Sequence, residues 1–163
     1  MNLLSPRALL TAMAAGSLLA VAAALFTQYA WDMQPCAWCV LQRLVFVAVA
    51  ASALLGLLLG LLLPGAIGRR LGATLAMVLA GAGLAAALWQ HFVANQSASC
   101  NLTLADKVTG ATGLDRWLPE VFAAYASCAN AKVDLAGVPY ELWSAALFIV
   151  LLLAALRVML RPG

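Results

Sequence analysis

Residues Val40–Leu63 read VLQRLVFVAVAASALLGLLLGLLL, an apolar run with one charged side chain, Arg43, closed by Pro64-Gly65. A helix needs about 20 such residues to cross roughly 30 Å of hydrocarbon, and this run is long enough. Three other stretches match it: Ala8–Ala30, Leu71–Ala94 and Val138–Leu160. The last carries Glu141 near its start and Arg157 near its end, both positioned to snorkel to an interface. Ala8–Ala30 follows Arg7 and is rich in small residues, as a signal peptide is. The apolar core of a signal peptide runs only about 7–15 residues, so this longer stretch reads as a retained helix. The fold expected is an all-α membrane protein, one integral membrane domain over residues 1–163 built as a four-transmembrane-helix bundle.

Composition agrees. The chain is 66% hydrophobic and 9% charged, with a mean hydropathy of +1.00, where a soluble domain carries about 25% charged residues. At this length no water-soluble fold hides so much apolar surface. The net charge of +3 is spread thinly, with no basic run interleaved with aromatics, which argues against a nucleic-acid partner.

The charges set the orientation. Arg7, Arg69, Arg70, Arg157 and Arg161 fall on one side, with no acid among them. The other side receives Asp32, Asp106, Asp115, Glu120, Asp134 and Glu141, together with Arg43, Lys107, Arg116 and Lys132. Basic residues flanking membrane helices stay cytoplasmic, so both termini and the Pro64–Arg70 connection are expected there. The loops about 31–39 and 95–137 then lie outside, where Trp31, Trp38, Trp89, Trp117, Trp143, Tyr29, Tyr125 and Tyr140 also gather. In the longer loop Trp117, Leu118, Val121, Phe122 and Tyr125 recur at helical spacing. Asp115 is placed to cap that helix and Pro119 to occupy its first turn. This is expected to be a short amphipathic helix, lying in the headgroup plane or packed on its own loop.

All four cysteines, Cys36, Cys39, Cys100 and Cys128, map to the outer side. In a bacterial cell that side is oxidising and disulfides persist there. Cys36-Ala37-Trp38-Cys39 has the spacing of a dithiol redox centre. It stands where the second membrane helix begins, so the helix dipole favours a thiolate. Arg43 follows Cys39 by four residues on the same helix face, about 6 Å along the axis. A cation within a membrane helix is costly. Arg43 either stabilises a Cys39 thiolate or an adjacent anionic cofactor, or snorkels to the interface. Cys100 and Cys128 could close a purely structural loop, worth about 3–4 kcal/mol. A zinc site from all four cysteines is disfavoured, because only one half has close ligand spacing. His91, the single histidine, lies at a depth similar to Cys39 and Arg43; it is either a polar anchor or a donor to a cofactor carbonyl.

The chain resembles the DsbB family, quinone-dependent membrane oxidases that recharge the periplasmic disulfide donor DsbA. The resemblance rests on Cys36-x-x-Cys39-x-x-x-Arg43, and on Cys100 and Cys128 flanking Leu114-Asp115-Arg116-Trp117-Leu118-Pro119-Glu120-Val121-Phe122. It departs after the last cysteine, where Val133 and Leu135 stand in place of frequent aromatics, and at Trp143, two residues later than usual. The resemblance implies a protein of the bacterial inner membrane, with a DsbA-like thioredoxin-fold partner and a quinone cofactor, ubiquinone or menaquinone. It implies catalytic roles for Cys36, Cys39, Cys100 and Cys128, while Arg43 and His91 are the cofactor-binding candidates from their own positions. The Cys100–Cys128 disulfide would meet the partner's thiolate at Cys100 and exchange with Cys36–Cys39, and Cys39 would pass electrons to the quinone. A relative dedicated to a different thiol partner, or a scaffold with two structural disulfides, are the alternatives.

Overall fold

The computed structural model describes residues 5–63, 66–96 and 103–161. Four long helices dominate: α1 (Pro6–Ala30), α2 (Ala37–Leu62), α3 (Ile67–Phe92) and, after the second loop, α7 (Tyr140–Leu160). Each is long and apolar enough to cross a membrane. Their ends lie within a few residues of those expected from hydropathy, because the apolar runs are bounded by real stop signals. Ser5 caps α1 by accepting from the Ala8 amide at 3.2 Å, with Pro6 in the first turn.

The helices form a closed ring. α2 packs most extensively on α3, α3 on α7, and α1 on both α2 and α7. Between lipid-surrounded helices, close packing replaces the hydrophobic effect, and small residues let backbones approach. A Cβ on Gly72 would collide with the Gly56 backbone, and one on Gly83 with the Phe148 ring. Phe148 in turn stacks on Phe46, centroids 4.1 Å apart, in a core with Leu10, Met13, Val49 and Leu151. Outward, Leu19, Leu58, Leu61, Val78 and Leu153 are more than half exposed. That apolar girdle is too large for a water-soluble monomer. The protein is an all-α, four-helix, multi-pass membrane protein.

The second loop departs from expectation. A helix absent from the sequence reading, α4 (Leu104–Thr112), opens on a reciprocal capping box between Thr103 and Asp106. It ends at Gly113, whose φ of 69° places it in the left-handed region that suits glycine. The expected amphipathic helix is two single turns, α5 (Leu114–Trp117) and α6 (Pro119–Phe122), broken at Leu118. Gly113, not Asp115, is the cap of α5; an aspartate inside the turn cannot also precede it. Pro119 does begin α6, where its missing N–H costs little. The apolar stripe is divided: Phe122 is buried and Val121 packs on the helix core, whereas Trp117, Leu118 and Tyr125 face outward.

The loop returns through a two-residue hairpin, β1 (Asp134–Leu135) with β2 (Val138–Pro139). Ala136 and Gly137 both have positive φ, 56° and 78°, as the tight turn between paired strands requires. The Tyr140 amide donates to the Val133 carbonyl at 3.0 Å, and Trp143 Nε1 to the Leu135 carbonyl at 3.2 Å. Leu135 and Trp143, two of the positions that depart from the family pattern, are thus bonded to each other and Val133 to Tyr140, docking the loop on the start of α7. Arg157 is exposed, but Glu141 is only 4% exposed, so it does not snorkel.

Candidate functional site

Cys36 is the N-cap of α2 and fully buried, with extended backbone angles that turn the chain into the helix. One turn on, Cys39 brings its Sγ to 3.1 Å from that of Cys36, a distance suited to thiol hydrogen bonding and to re-formation of a disulfide on oxidation. The second loop is fastened to this turn: the amides of Tyr125 and Ala126 both donate to the Pro35 carbonyl, at 3.0 and 3.2 Å. That attachment carries Cys128 against Cys36, where both join a cluster with Trp38, Leu41 and Ala105. Hydrogen bonding from the Cys36 thiol holds Cys128 below the usual thiol range, against the opposing effect of its own burial. The proton remains on Cys36, whose pKa is raised by hydrogen bonding to Cys128 and Cys39 and by burial. Cys128 is the better thiolate and Cys36 the sulfur it faces, an arrangement suited to thiol–disulfide exchange between loop and helix. Cys100 lies outside the described residues.

On its other side Cys39 meets a polar device that sequence reading missed. Gln90 of α3 donates Nε2 to Cys39 Sγ at 3.2 Å, and Gln42 Nε2 donates to Gln90 Oε1 at 2.7 Å. The second bond fixes which face of the Gln90 amide the sulfur sees. Both glutamines are buried. Uncharged polar residues inside apolar runs are themselves a signal, since buried amides in membrane helices need partners.

Arg43 is buried at 6% exposure and is not a snorkelling anchor. Its Nη1 donates to Gln28 Oε1 at 2.7 Å and to the Val121 carbonyl at 3.1 Å, and its Nη2 to the Ala24 carbonyl at 3.3 Å. One guanidinium thus ties α1, α2 and the second loop together. Gln28 and Tyr29 reinforce the link by donating to the Glu120 carbonyl, at 3.4 and 3.0 Å.

Arg43 and Cys39 share the wall of a cavity of about 470 Å³. Its polar end is formed by Cys39, Gln42, Arg43, Gln90, Tyr140 and Glu141, and its apolar length by Phe46, Leu147 and Val150 with alanines of α1. A second, larger cavity of about 1120 Å³ lies beneath α4, lined by Trp38, Trp89, Leu104 and Val108 and reaching Cys128. Size favours the second, but the convergent polar groups and the Cys39 sulfur favour the first as a cofactor site. His91 lines neither cavity. Its Nδ1 is 2.8 Å from Glu141 Oε1, which also accepts from Asn95 Nδ2 at 2.8 Å. His91, expected to contact a cofactor, instead reaches the cavity only through Glu141, the carboxylate that lines its wall.

A family sequence model described as Disulfide bond formation protein DsbB matches residues 6–158. Curated relatives named Disulfide bond formation protein B align along nearly the whole chain. The one from Nitrosospira multiformis is 30% identical over 156 residues, 94% of this chain and 91% of that protein. That from Herminiimonas arsenicoxydans is 30% identical over 95% of this chain and 96% of its own. That from Stutzerimonas stutzeri is 29% identical over 99% of each.

Proposed function

This chain belongs to the DsbB family of disulfide bond formation proteins, and on that footing we propose that it reoxidises a DsbA-like thioredoxin-fold dithiol in the bacterial periplasm and passes the electrons to a membrane quinone. The orientation that goes with this reading has the cysteines periplasmic and both termini cytoplasmic in the inner membrane. It is supported by the segregation of the five flanking arginines from all six acids. The observation that carries the function is the juxtaposition at the start of α2. Cys128 of the loop lies against Cys36, Cys36 against Cys39, and Cys39 on the wall of the cavity that holds Arg43.

That chain of neighbours gives an ordered exchange. The partner's thiolate attacks the Cys100–Cys128 disulfide at Cys100, freeing Cys128 as a thiolate; the choice of Cys100 rests on family resemblance. Cys128 then attacks Cys36 of the Cys36–Cys39 disulfide, forming a Cys36–Cys128 bond and releasing Cys39 as a thiolate. When the partner leaves oxidised, taking the mixed-disulfide sulfur with its own second thiol, Cys100 is freed. Its thiolate attacks Cys128, restoring the loop disulfide and leaving Cys36 and Cys39 reduced. Each exchange makes one sulfur–sulfur bond and breaks one. The Gln90 amide is aimed at the sulfur that must leave as a thiolate and then give up its electrons.

The cavity fits a quinone in chemistry and size. Pockets of about 300–1,000 Å³ with apolar walls and few polar groups suit such ligands. Arg43, Gln42 and Gln90 offer donors to ring oxygens, and Phe46, Leu147 and Val150 an apolar bed. When bound, a quinone supplies a two-electron, two-proton acceptor that departs as quinol. Purified protein given a small dithiol and a short-chain quinone should form quinol. Cys39→Ser should abolish this, whereas Cys128→Ser should retain it while losing oxidation of the protein partner. A Cys39→Ser protein that reduces quinone at the wild-type rate overturns the reading.

A further inference from the structure

Glu141 is a carboxylate in the first turn of α7, only 4% exposed, on the wall of the cavity that contains Cys39. Such a group is expensive to bury and is retained where it has partners or a task. Its partners are His91 Nδ1 and Asn95 Nδ2, and both bonds fall on Oε1. No hydrogen bond among the described residues reaches Oε2. His91, 29% exposed at its side chain, connects the buried carboxylate to the outer surface.

We propose that Glu141 and His91 form a proton relay for this cavity, with Glu141 delivering the proton and His91 restoring it. The inference rests on the quinone reading above and adds residues to it. Arg43 stays protonated in proteins, and the amides of Gln42 and Gln90 and the hydroxyls of Thr27 and Ser144 exchange no proton usefully near neutral pH. The Tyr140 hydroxyl is engaged with Thr27 Oγ1, 3.2 Å away. Cys39 is the electron donor. That leaves Glu141. The titratable or charged groups facing it are Arg43 and Cys39 from α2, Tyr140 on its own helix and His91 from α3; α1 contributes only alanines and Thr27 to the cavity wall.

The balance closes. With Cys39 a thiolate, the reduced Cys36–Cys39 pair loses two electrons and one proton as its disulfide forms, whereas a quinone gains two electrons and two protons in two O–H bonds. Cys39, released from a disulfide, carries no proton of its own, the partner's thiol having lost it to solution, so one proton must come to the cavity from outside the pair. Glu141 gives one from its carboxyl group, and the imidazolium of His91 returns one through Nδ1–H to Oε1. His91 is then recharged from the outer solution.

The test compares wild type, Glu141→Gln and His91→Asn, each supplied with a small dithiol and a short-chain quinone. Glu141→Gln should slow quinol formation about a hundredfold, the usual scale of a lost general acid. It should leave the quinone dissociation constant unchanged, as read by quenching of tryptophan fluorescence, since Trp143 lines the cavity. Added formate should restore part of the rate. The reduced-minus-oxidised infrared spectrum of wild type should contain a protonated-carboxyl band that Glu141→Gln lacks. If Glu141→Gln does not assemble, His91→Asn carries the test, with slowing that grows as pH rises and external protons become scarce. Wild-type rates in either assembled variant, or an infrared band that survives Glu141→Gln, overturn the relay while leaving the quinone reading intact. A wild-type protein that neither binds quinone nor makes quinol overturns both.

Discussion

Replacing Arg43 by alanine should disturb the second loop as well as the cavity. The guanidinium's three acceptors are not equally dependent on it. The Ala24 carbonyl also accepts from Thr27 Oγ1 at 3.0 Å, so it is not left without a partner. Gln28 Oε1 and the Val121 carbonyl lose the bonds given to them by Nη1, at 2.7 and 3.1 Å. Hydrogen bonds to a charged donor contribute about 1.5–3 kcal/mol each. Only the Val121 bond reaches the loop, and taking the lower figure for it, because water can enter the neighbouring cavity, gives about 1.5 kcal/mol, or roughly tenfold in the loop's docking equilibrium. The assay is hydrogen exchange at the Tyr125 and Ala126 amides, which donate to Pro35 and report the same docking. Their protection should fall in Arg43→Ala. It should fall less in Arg43→Lys, which keeps the charge but not the planar fork of donors. Quinone dependence measured in parallel should weaken in the same order. The bond to Val121 makes exchange between the loop and the protein partner sensitive to Arg43 as well. Unchanged protection in a folded Arg43→Ala protein would refute the assignment of Arg43 as the tie between α1, α2 and the loop.

Gln90→Leu removes the amide donor from Cys39 Sγ and strands Gln42 Nε2. A loss of about 1.5 kcal/mol should slow quinol formation roughly tenfold in a stopped-flow assay. In a reduced Cys100→Ser background, Cys36→Ala should slow alkylation of Cys128 at neutral pH and move its pH profile upward. The donor that holds Cys128 below the usual thiol range is then gone, and less of it is thiolate. Membrane-impermeant labelling of introduced cysteines should reach positions near Asp106 from the periplasm and Gly68 only after the inner membrane is breached. The opposite pattern would strand the redox sulfurs in a reducing compartment.

The four membrane helices were legible because hydropathy over twenty residues is a sum that local detail cannot mask. The second loop was less so. Thr103 and Asp106 form a capping box in the structure, but the usual signature has glutamate or glutamine at the last position, and Leu104–Thr112 is short, with only Leu104 and Val108 as large apolar side chains to mark its face. The break at Leu118 follows from a proline that starts a new turn rather than joining the previous one. Cys36, Cys39 and Arg43 could be singled out from spacing; their neighbours could not. The positions of Gln42 and Gln90 in apolar runs were visible, but their meeting across α2 and α3 depends on helix rotation. Glu141 read as interfacial because it opens a helix, and only its contacts with His91 and Asn95 mark it as buried.

The central claim is that electrons entering at the loop sulfurs leave through Cys39 to a quinone. The direct measurement is anaerobic mixing of reduced DsbA-like partner with quinone-loaded protein, following quinol by absorbance and partner thiols by quenched alkylation. One quinol should appear for each partner disulfide formed, with none in Cys39→Ser. Stoichiometric oxidation of the partner by wild type through many turnovers with no quinol formed would contradict it.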